Sequence, residues 1–383
     1  MFNYFQPSKI HFGRGRLNEL SNIASKYGDK CLLVTTENVA PLDKLYDRVK
    51  AILRNAAIEV IHFDKVLPNP TVEMVTEGFE LAKSENVNFV LGVGGGSSID
   101  TAKIIALTNG LDKIDWDYLF STYTNPFEDY EKLTNKNLPL IAVSTTSGTG
   151  SQVTQAAVIT SGTEKNTIFH NDNFSNECIV DPELMITLPP RITASTGFDA
   201  FTHAFESFIN PKASIMTEIQ ALKAIELVVN YLPKAMEDGA NIDYREQLAV
   251  ADTFAGISLA NAGAAAPHPL SEIIGGVTHI PHGEALAVVY PGFIKFFNDN
   301  YIEKFAIVAR IFNVELETVS AKEAATALYD EITKFLSIVG LAKKLRDFNI
   351  TDDQFEQIIN NPILGVLPFA SKEKLQEIMR AAY

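Results

Sequence analysis

Four side chains in the second half of the chain have the types and spacing to hold a divalent metal. Asp199 and His203 lie four apart in Gly197-Phe-Asp-Ala-Phe-Thr-His203, a run of helical character. That spacing stacks a carboxylate and an imidazole on one helix face. His268, in Ala266-Pro-His-Pro-Leu-Ser-Glu272, and His282, in Ile280-Pro-His-Gly-Glu284, follow, fourteen positions apart. One Asp and three His suit a borderline ion: imidazole accepts Fe, Zn, Ni or Cu, and a single carboxylate lowers the net charge. An isolated histidine is ordinarily a satisfied core or surface group. Here four of the seven histidines fall between residues 203 and 282, with Ala, Gly or Pro beside His203, His268 and His282, which suits a tight site.

A second chemistry is written further upstream. Gly92-Val-Gly-Gly-Gly-Ser-Ser-Ile-Asp-Thr-Ala-Lys103 follows a strand-like run. Its three consecutive glycines, Gly94 to Gly96, let the backbone turn tightly and approach a ligand, and Ser97 or Ser98 then opens a helix whose amides favour an anion. The pattern is neither the Gly-x-Gly-x-x-Gly of a first βα turn nor a triphosphatase loop, so it points to a pyrophosphate bound at a later strand. The hydroxyl-rich turn Ser144-Thr-Thr-Ser-Gly-Thr-Gly-Ser151 would add donors near the same ligand, or else is an ordinary polar loop.

Elements to position these groups are legible around them. Residues 30–35, 58–63 and 88–93 read as strands, 42–54 and 72–85 as helices, with Thr71 placed to cap the second of these. Residues 109–137 lack a clear period and read as a surface excursion. A strand at 139–143 and a hairpin from 153–160 and 167–170 follow, up to a boundary at Leu188-Pro-Pro190. Beyond it, 199–209, 217–232, 245–260, 300–312, 320–339 and 352–360 read as helices. The expectation is an α/β N-terminal domain, 1–190, with a parallel doubly wound sheet, and an all-helical C-terminal domain, 191–383, whose buried face carries the metal ligands.

Composition limits the alternatives. The chain has 383 residues, enough for two domains, and 46% apolar content, ordinary for a globular enzyme. A net charge of −15 argues against nucleic acid or an anionic membrane as partner. Neither a secretory signal nor an uninterrupted apolar membrane span is evident, and Cys31 and Cys178 suggest no disulfide framework, so the expected setting is cytoplasmic. No Ser-His-Asp or Cys-His arrangement offers a protein nucleophile.

Taken together, these stretches resemble the iron-containing (group III) alcohol dehydrogenase family over nearly the whole chain. The matching segments begin with Pro7-Ser-Lys-Ile-His-Phe-Gly-Arg-Gly15, Pro68-Asn-Pro-Thr71 and Gly94 to Lys103. They continue through Thr145 to Ser151, Asp181-Pro-Glu-Leu184, Gly197 to Glu206 and Pro281-His-Gly283. The resemblance implies a dinucleotide-binding Rossmann-like domain, a helical domain and an active site in the cleft between them. It implies Asp199, His203, His268 and His282 as ligands of Fe2+, with Zn2+ as the other candidate. His279 could compete, but Pro-His-Gly fits His282. Gly95, Gly96, Ser97 and Ser98 match the pyrophosphate loop, and Asn69, Thr145, Thr146, Thr149 and Lys165 other contacts to NADP or NAD.

Three departures from the family pattern matter. Thr36 stands where NAD-preferring members often carry Asp, which lets NADPH be accepted, with Glu37 beside it as a moderating charge. Gln152 replaces a common Glu. Glu272 stands where many members place a non-ligating His near the nicotinamide. It is expected to act as the catalytic proton relay or to orient a ligand histidine. The implied reaction is reversible hydride transfer between NAD(P)H and a small aldehyde or ketone, in a homo-oligomer. A dehydroquinate-synthase-like lyase and a non-catalytic cofactor-binding protein are the rivals. The first should bring more Lys and Arg than residues 197–285 contain, and the intact ligand set counts against the second.

Overall fold

The computed structural model describes residues 1–383. Two compact units make up the chain, Tyr4–Leu188 and Pro189–Tyr383, the latter joined by Met1–Asn3.

The first unit is built on eight strands: β1 (Lys9–Phe12), β2 (Lys30–Thr36), β3 (Glu59–Val66), β4 (Phe89–Gly94), β5 (Leu140–Ser144), β6 (Ala156–Ser161), β7 (Glu164–Phe169) and β8 (Glu177–Val180). Six of them form one parallel sheet in the order β1-β8-β5-β4-β2-β3. Every residue of β4, β5 and β8 is buried. That is the pattern of strands covered on both faces, and it explains why they read as continuous apolar runs rather than alternating ones. The covering helices are α1 (Leu20–Ala24), α2 (Asp43–Asn55), α3 (Val72–Glu85) and α4 (Gly96–Thr108). One core packs β2 and β4 with α3 and α4, the other packs β2, β4 and β5 with α1 and α2.

Local chemistry sets several of these elements. Thr71 is extended, and its hydroxyl accepts from the Met74 amide, so α3 begins at Val72 as its cap dictates. The expected hairpin is β6–β7, antiparallel, closed by Gly162-Thr163 with Gly162 at φ +60°. The 109–137 excursion is less irregular than expected. It contains a short helix, α5 (Trp116–Thr122), started by Asp115, whose carboxylate accepts from the Tyr118 amide. Seven residues are too few to show a helical period, which is why the pattern concealed it. Strand β1 also escaped, because four residues with one fully buried position carry little signal.

The second unit is helical: α6 (Pro190–Ile209), α7 (Ile215–Glu237), α8 (Ile242–Ala262), α9 (Pro267–Thr278), α10 (His282–Phe297), α11 (Ile302–Phe312), α12 (Ala321–Ile338), α13 (Asp352–Ile359) and α14 (Lys372–Ala382). Helix α6 starts nine residues before the expected 199, with Pro190 in its first turn, where a missing amide costs nothing. Thr193, Ser195, Thr196 and Gly197 are weak helix formers, and packing overrides them. A Cβ on Gly197 would lie 2.5 Å from Leu232, so its absence is what lets α6 and α7 approach. Helices α10 and α14 were not foreseen, and α9 only as a helix starting at Pro269 that would carry Glu272. Pro267, Pro269 and Pro281 sit at helix starts, where a missing amide costs little, and only Pro291 is interior. No single helix is long and apolar enough to cross a membrane.

Candidate functional site

In the helical unit, the carboxylate of Asp199 faces three imidazoles. Its Oδ1 lies 3.6 Å from His203 Nε2, 3.8 Å from His268 Nε2 and 3.6 Å from His282 Nε2. The donors of Asp199, His268 and His282 all fall within 4.8 Å of one another, and His203 joins through Asp199 while its ring stacks on His268 at 4.6 Å. Two donors that share one ion at about 2.1 Å each lie roughly 3–4 Å apart, so these spacings suit Asp199, His268 and His282 around a single cation, with His203 reaching the set through Asp199. Asp199 Oδ1 and His268 Nε2 are buried without a hydrogen-bond partner. Burial of two unsatisfied polar atoms side by side is costly, and a divalent ion would satisfy both.

Helix geometry explains how the set assembles. Asp199 and His203 sit one turn apart on α6. His268 is the second residue of α9, and His282 is the first residue of α10. The start of α10 is pinned by Glu284, a buried carboxylate between Arg191 at 2.6 Å and Lys343 at 3.3 Å. His279 is exposed, at φ +59° in the cap of α9, and its amide bonds to Gly275, so His282 is the one that belongs to the cluster.

Charge in the cluster is coupled. Burial alone would raise the Asp199 pKa, but His203, His282 and His268 outweigh it and hold it at about 2. Burial would likewise depress His268, but Glu206 and Asp199 push it up to about 10. Glu206 is fully buried. Its Oε1 accepts from His268 Nδ1 at 2.7 Å and its Oε2 from the Ala265 amide at 2.7 Å. Ser271 Oγ lies 3.3 Å from His282 Nδ1. Neither partner was foreseen. The signal for Glu206 was present, because 199, 203 and 206 fall on one stripe of α6. Glu272 lies on α9 one turn after His268, half-buried, as a continuing helix requires.

The first unit brings the other predicted residues to the strand ends. The chain leaves β2 for β3 on one side and returns to β4 on the other, so the switch of direction lies between β2 and β4. Ligands of open parallel sheets sit at the carboxyl ends of strands at such a switch. Thr36 ends β2, Gly95 and Gly96 follow β4, and Thr145 and Thr146 follow β5. The Thr145 amide bonds to the Gly94 carbonyl at 3.0 Å, so the two loops run together. A Cβ on Gly95 would lie 3.2 Å from Thr146, and one on Gly96 2.9 Å from Thr149. Helix α4 begins at Gly96, one residue ahead of the expected serines, which puts Ser97 and Ser98 in its first turn. The hydroxyls of Ser98 and Thr146 are buried without hydrogen-bond partners.

The remaining predicted contacts cluster by backbone pairing. Asn69 is left-handed, at φ +58°, just before Pro70, whose carbonyl accepts from Thr160, and Thr160 pairs with Lys165 in the hairpin. Thr36 Oγ1 bonds to the buried Tyr46 hydroxyl at 2.7 Å, an engagement that its place at a strand end did not reveal. Also unforeseen is a buried clamp behind the glycine loop. Asp100 accepts from Ser151 Oγ at 2.5 Å and the Val158 amide at 3.0 Å, while Lys103 donates to Thr154 Oγ1 at 3.1 Å and the Ala156 carbonyl at 2.6 Å. Burial lowers Lys103 to about 8, against the pull of Asp100.

The family model described as iron-containing alcohol dehydrogenase matches residues 7–182, and that for the C-terminal part of the Fe-containing alcohol dehydrogenase family matches residues 193–383. Long-chain-alcohol dehydrogenase 1 of Geobacillus thermodenitrificans is 33% identical over 357 residues, 93% of this chain and 89% of that protein. The NADPH-dependent butanol dehydrogenase of Clostridium saccharobutylicum is 30% identical over 394 residues, 100% of this chain and 98% of that one. A crystal structure of 1,3-propanediol oxidoreductase superposes with a TM-score of 0.91 at 31% identity, covering 100% of both chains.

Proposed function

This chain belongs to the iron-containing alcohol dehydrogenase family and is an NAD(P)-dependent oxidoreductase of alcohols, and from that premise we propose which residues do the work. Asp199, His203, His268 and His282 hold a divalent ion, Fe2+ first and Zn2+ as the other candidate. Thr36, Asn69, Gly95, Gly96, Ser97, Ser98, Thr145, Thr146, Thr149 and Lys165 hold NADP or NAD. When bound, the cation polarises the oxygen of a small alcohol, aldehyde or ketone, and the nicotinamide accepts or donates the hydride.

The observation that carries this reading is the unpartnered Asp199 Oδ1 with three imidazole nitrogens 3.6–3.8 Å away. Asp199 supplies one negative charge in a buried setting, and the imidazoles supply neutral donors. Glycines 94–96 admit the pyrophosphate to the amide-rich start of α4, and Ser98 and Thr146 give it hydroxyl donors. Glu206 and Ser271 contact the ring nitrogens of His268 and His282, and to Glu272 we assign the passing of the substrate proton. A cytoplasmic setting suits two buried cysteines that form no disulfide, Cys31 and Cys178, and a homo-oligomer is the assembly to look for by sedimentation. The lyase and the non-catalytic binder have no support in the family match.

The test is oxidation of NADPH by butanal, followed in the ultraviolet. Turnover that a chelator abolishes and Fe2+ or Zn2+ restores supports the assignment. Undiminished turnover by metal-free protein would overturn it.

A further inference from the structure

We infer that Glu206 is a positioning residue of the metal centre, fixing the ring and tautomer of His268 so that Nε2 offers its lone pair beside Asp199. The inference rests on the reading of Asp199, His203, His268 and His282 as ligands. Glu206 is fully buried on the same stripe of α6 as Asp199 and His203, at the third position of the series 199, 203, 206. An ionised carboxylate only accepts, so the 2.7 Å contact to His268 Nδ1 makes that nitrogen the donor. Once a cation displaces the proton from the other nitrogen the ring is neutral and Nε2 is its acceptor, the buried atom without a hydrogen-bond partner, 3.8 Å from Asp199 Oδ1.

The second oxygen of Glu206 has its own task. It accepts from the Ala265 amide at 2.7 Å, three residues before His268, in the segment that turns α8 into α9. One carboxylate therefore fixes both the backbone leading to the ligand and the ligand ring. Its charge adds to that of Asp199, and two buried carboxylates balance one divalent cation. A glutamine at 206 cannot reproduce this. Its single carbonyl oxygen can accept from Ala265 or from His268, and its NH2 group must face the other donor or turn His268 to the wrong tautomer.

Cobalt uptake measured against a competing chelator tests this, with the ligand-field spectrum of the cobalt protein as a second readout. Glu206→Gln is expected to weaken Co2+ binding roughly 10–100-fold and shift the spectrum, while circular dichroism shows the helical fold retained. NADPH binding, measured by fluorescence, should stay unchanged. Should Glu206→Gln fail to fold, Glu206→Asp keeps the charge but withdraws it from His268, and a weaker affinity with a shifted spectrum is expected there too. Equal affinity and an identical spectrum in the folded variant would overturn the inference alone. Failure of the wild-type protein to take up cobalt would overturn the metal centre, and the inference with it.

Discussion

Gly283 lies so close to Ser195 that a Cβ placed on the glycine would meet the serine carbonyl oxygen at 2.1 Å. Ser195 is one turn before Asp199 on α6, and Gly283 follows His282 at the start of α10. The glycine therefore lets the helix that carries one donor rest on the backbone of the helix that carries two. Gly283→Ala must push α10 away and take His282 with it. A loss of divalent-metal affinity of about 10-fold or more is expected, together with a destabilisation of about 1–3 kcal/mol. Metal titration and thermal unfolding check both, and unchanged metal affinity would show that the contact has slack.

Metal uptake should release a proton. In the folded apoprotein His268 is raised to about 10 from 6.5, so its ion pairing stabilises fully below about pH 6.5 and is lost as pH rises through about 10. A cation at Nε2 replaces that proton, and affinity should rise with pH across this window by up to roughly tenfold per unit. Calorimetry in buffers of different ionisation heat counts the proton directly. A count of zero at pH 8 contradicts the charged state of His268.

Glu272→Gln should keep its metal, lose turnover by about 10²-fold and lose one limb of the pH–rate profile. Loss of metal with normal turnover by the remaining loaded enzyme would instead make Glu272 a support for the site.

Thr36→Asp should move cofactor choice toward NADH. Thr36 can accept from Tyr46 and still donate to a 2′-phosphate, whereas a carboxylate there repels the phosphate. The NADPH-to-NADH ratio of kcat/KM is expected to fall roughly tenfold or more. A wild-type enzyme that already strongly prefers NADH would refute the Thr36 argument at once.

At the edge of the sheet, Glu177 of β8 joins β1 and the α1 region through His11 Nε2 at 2.6 Å, Lys26 Nζ at 2.7 Å and Tyr27 OH at 3.0 Å. Burial opposes its ionisation, but these partners hold it at about 2, below 4.5. Its contribution is present above about pH 4.5 and lost as pH falls through 2. Glu177→Gln should cost on the order of 1–3 kcal/mol at pH 7, with Lys26 discounted for its exposure, and the gap should narrow by pH 3.5. Denaturant unfolding at the two pH values measures it, and a gap that does not narrow rules out this account.

Short-range chemistry was legible in the chain. Helix 72–85 could be bounded to the residue because Thr71 caps it locally, and strands 30–36 and 140–144 announced burial through unbroken apolar runs. The ligand types, the glycine loop and the family resemblance were equally open to reading, since each resides in a few adjacent residues. What stayed hidden depends on partners far along the chain. The pairing of β1 with β8 joins residues 9 and 177, the Glu206–His268 bond joins positions 62 apart, and the Gly283–Ser195 contact has no local trace at all. Prolines at 267, 269 and 281 sit at helix starts, and only packing decides whether a chain runs on as helix after such a first turn. Residue types declare what an atom can donate or accept. Which buried atom it faces is settled when distant segments close on one another and leave Asp199 Oδ1 among three imidazoles.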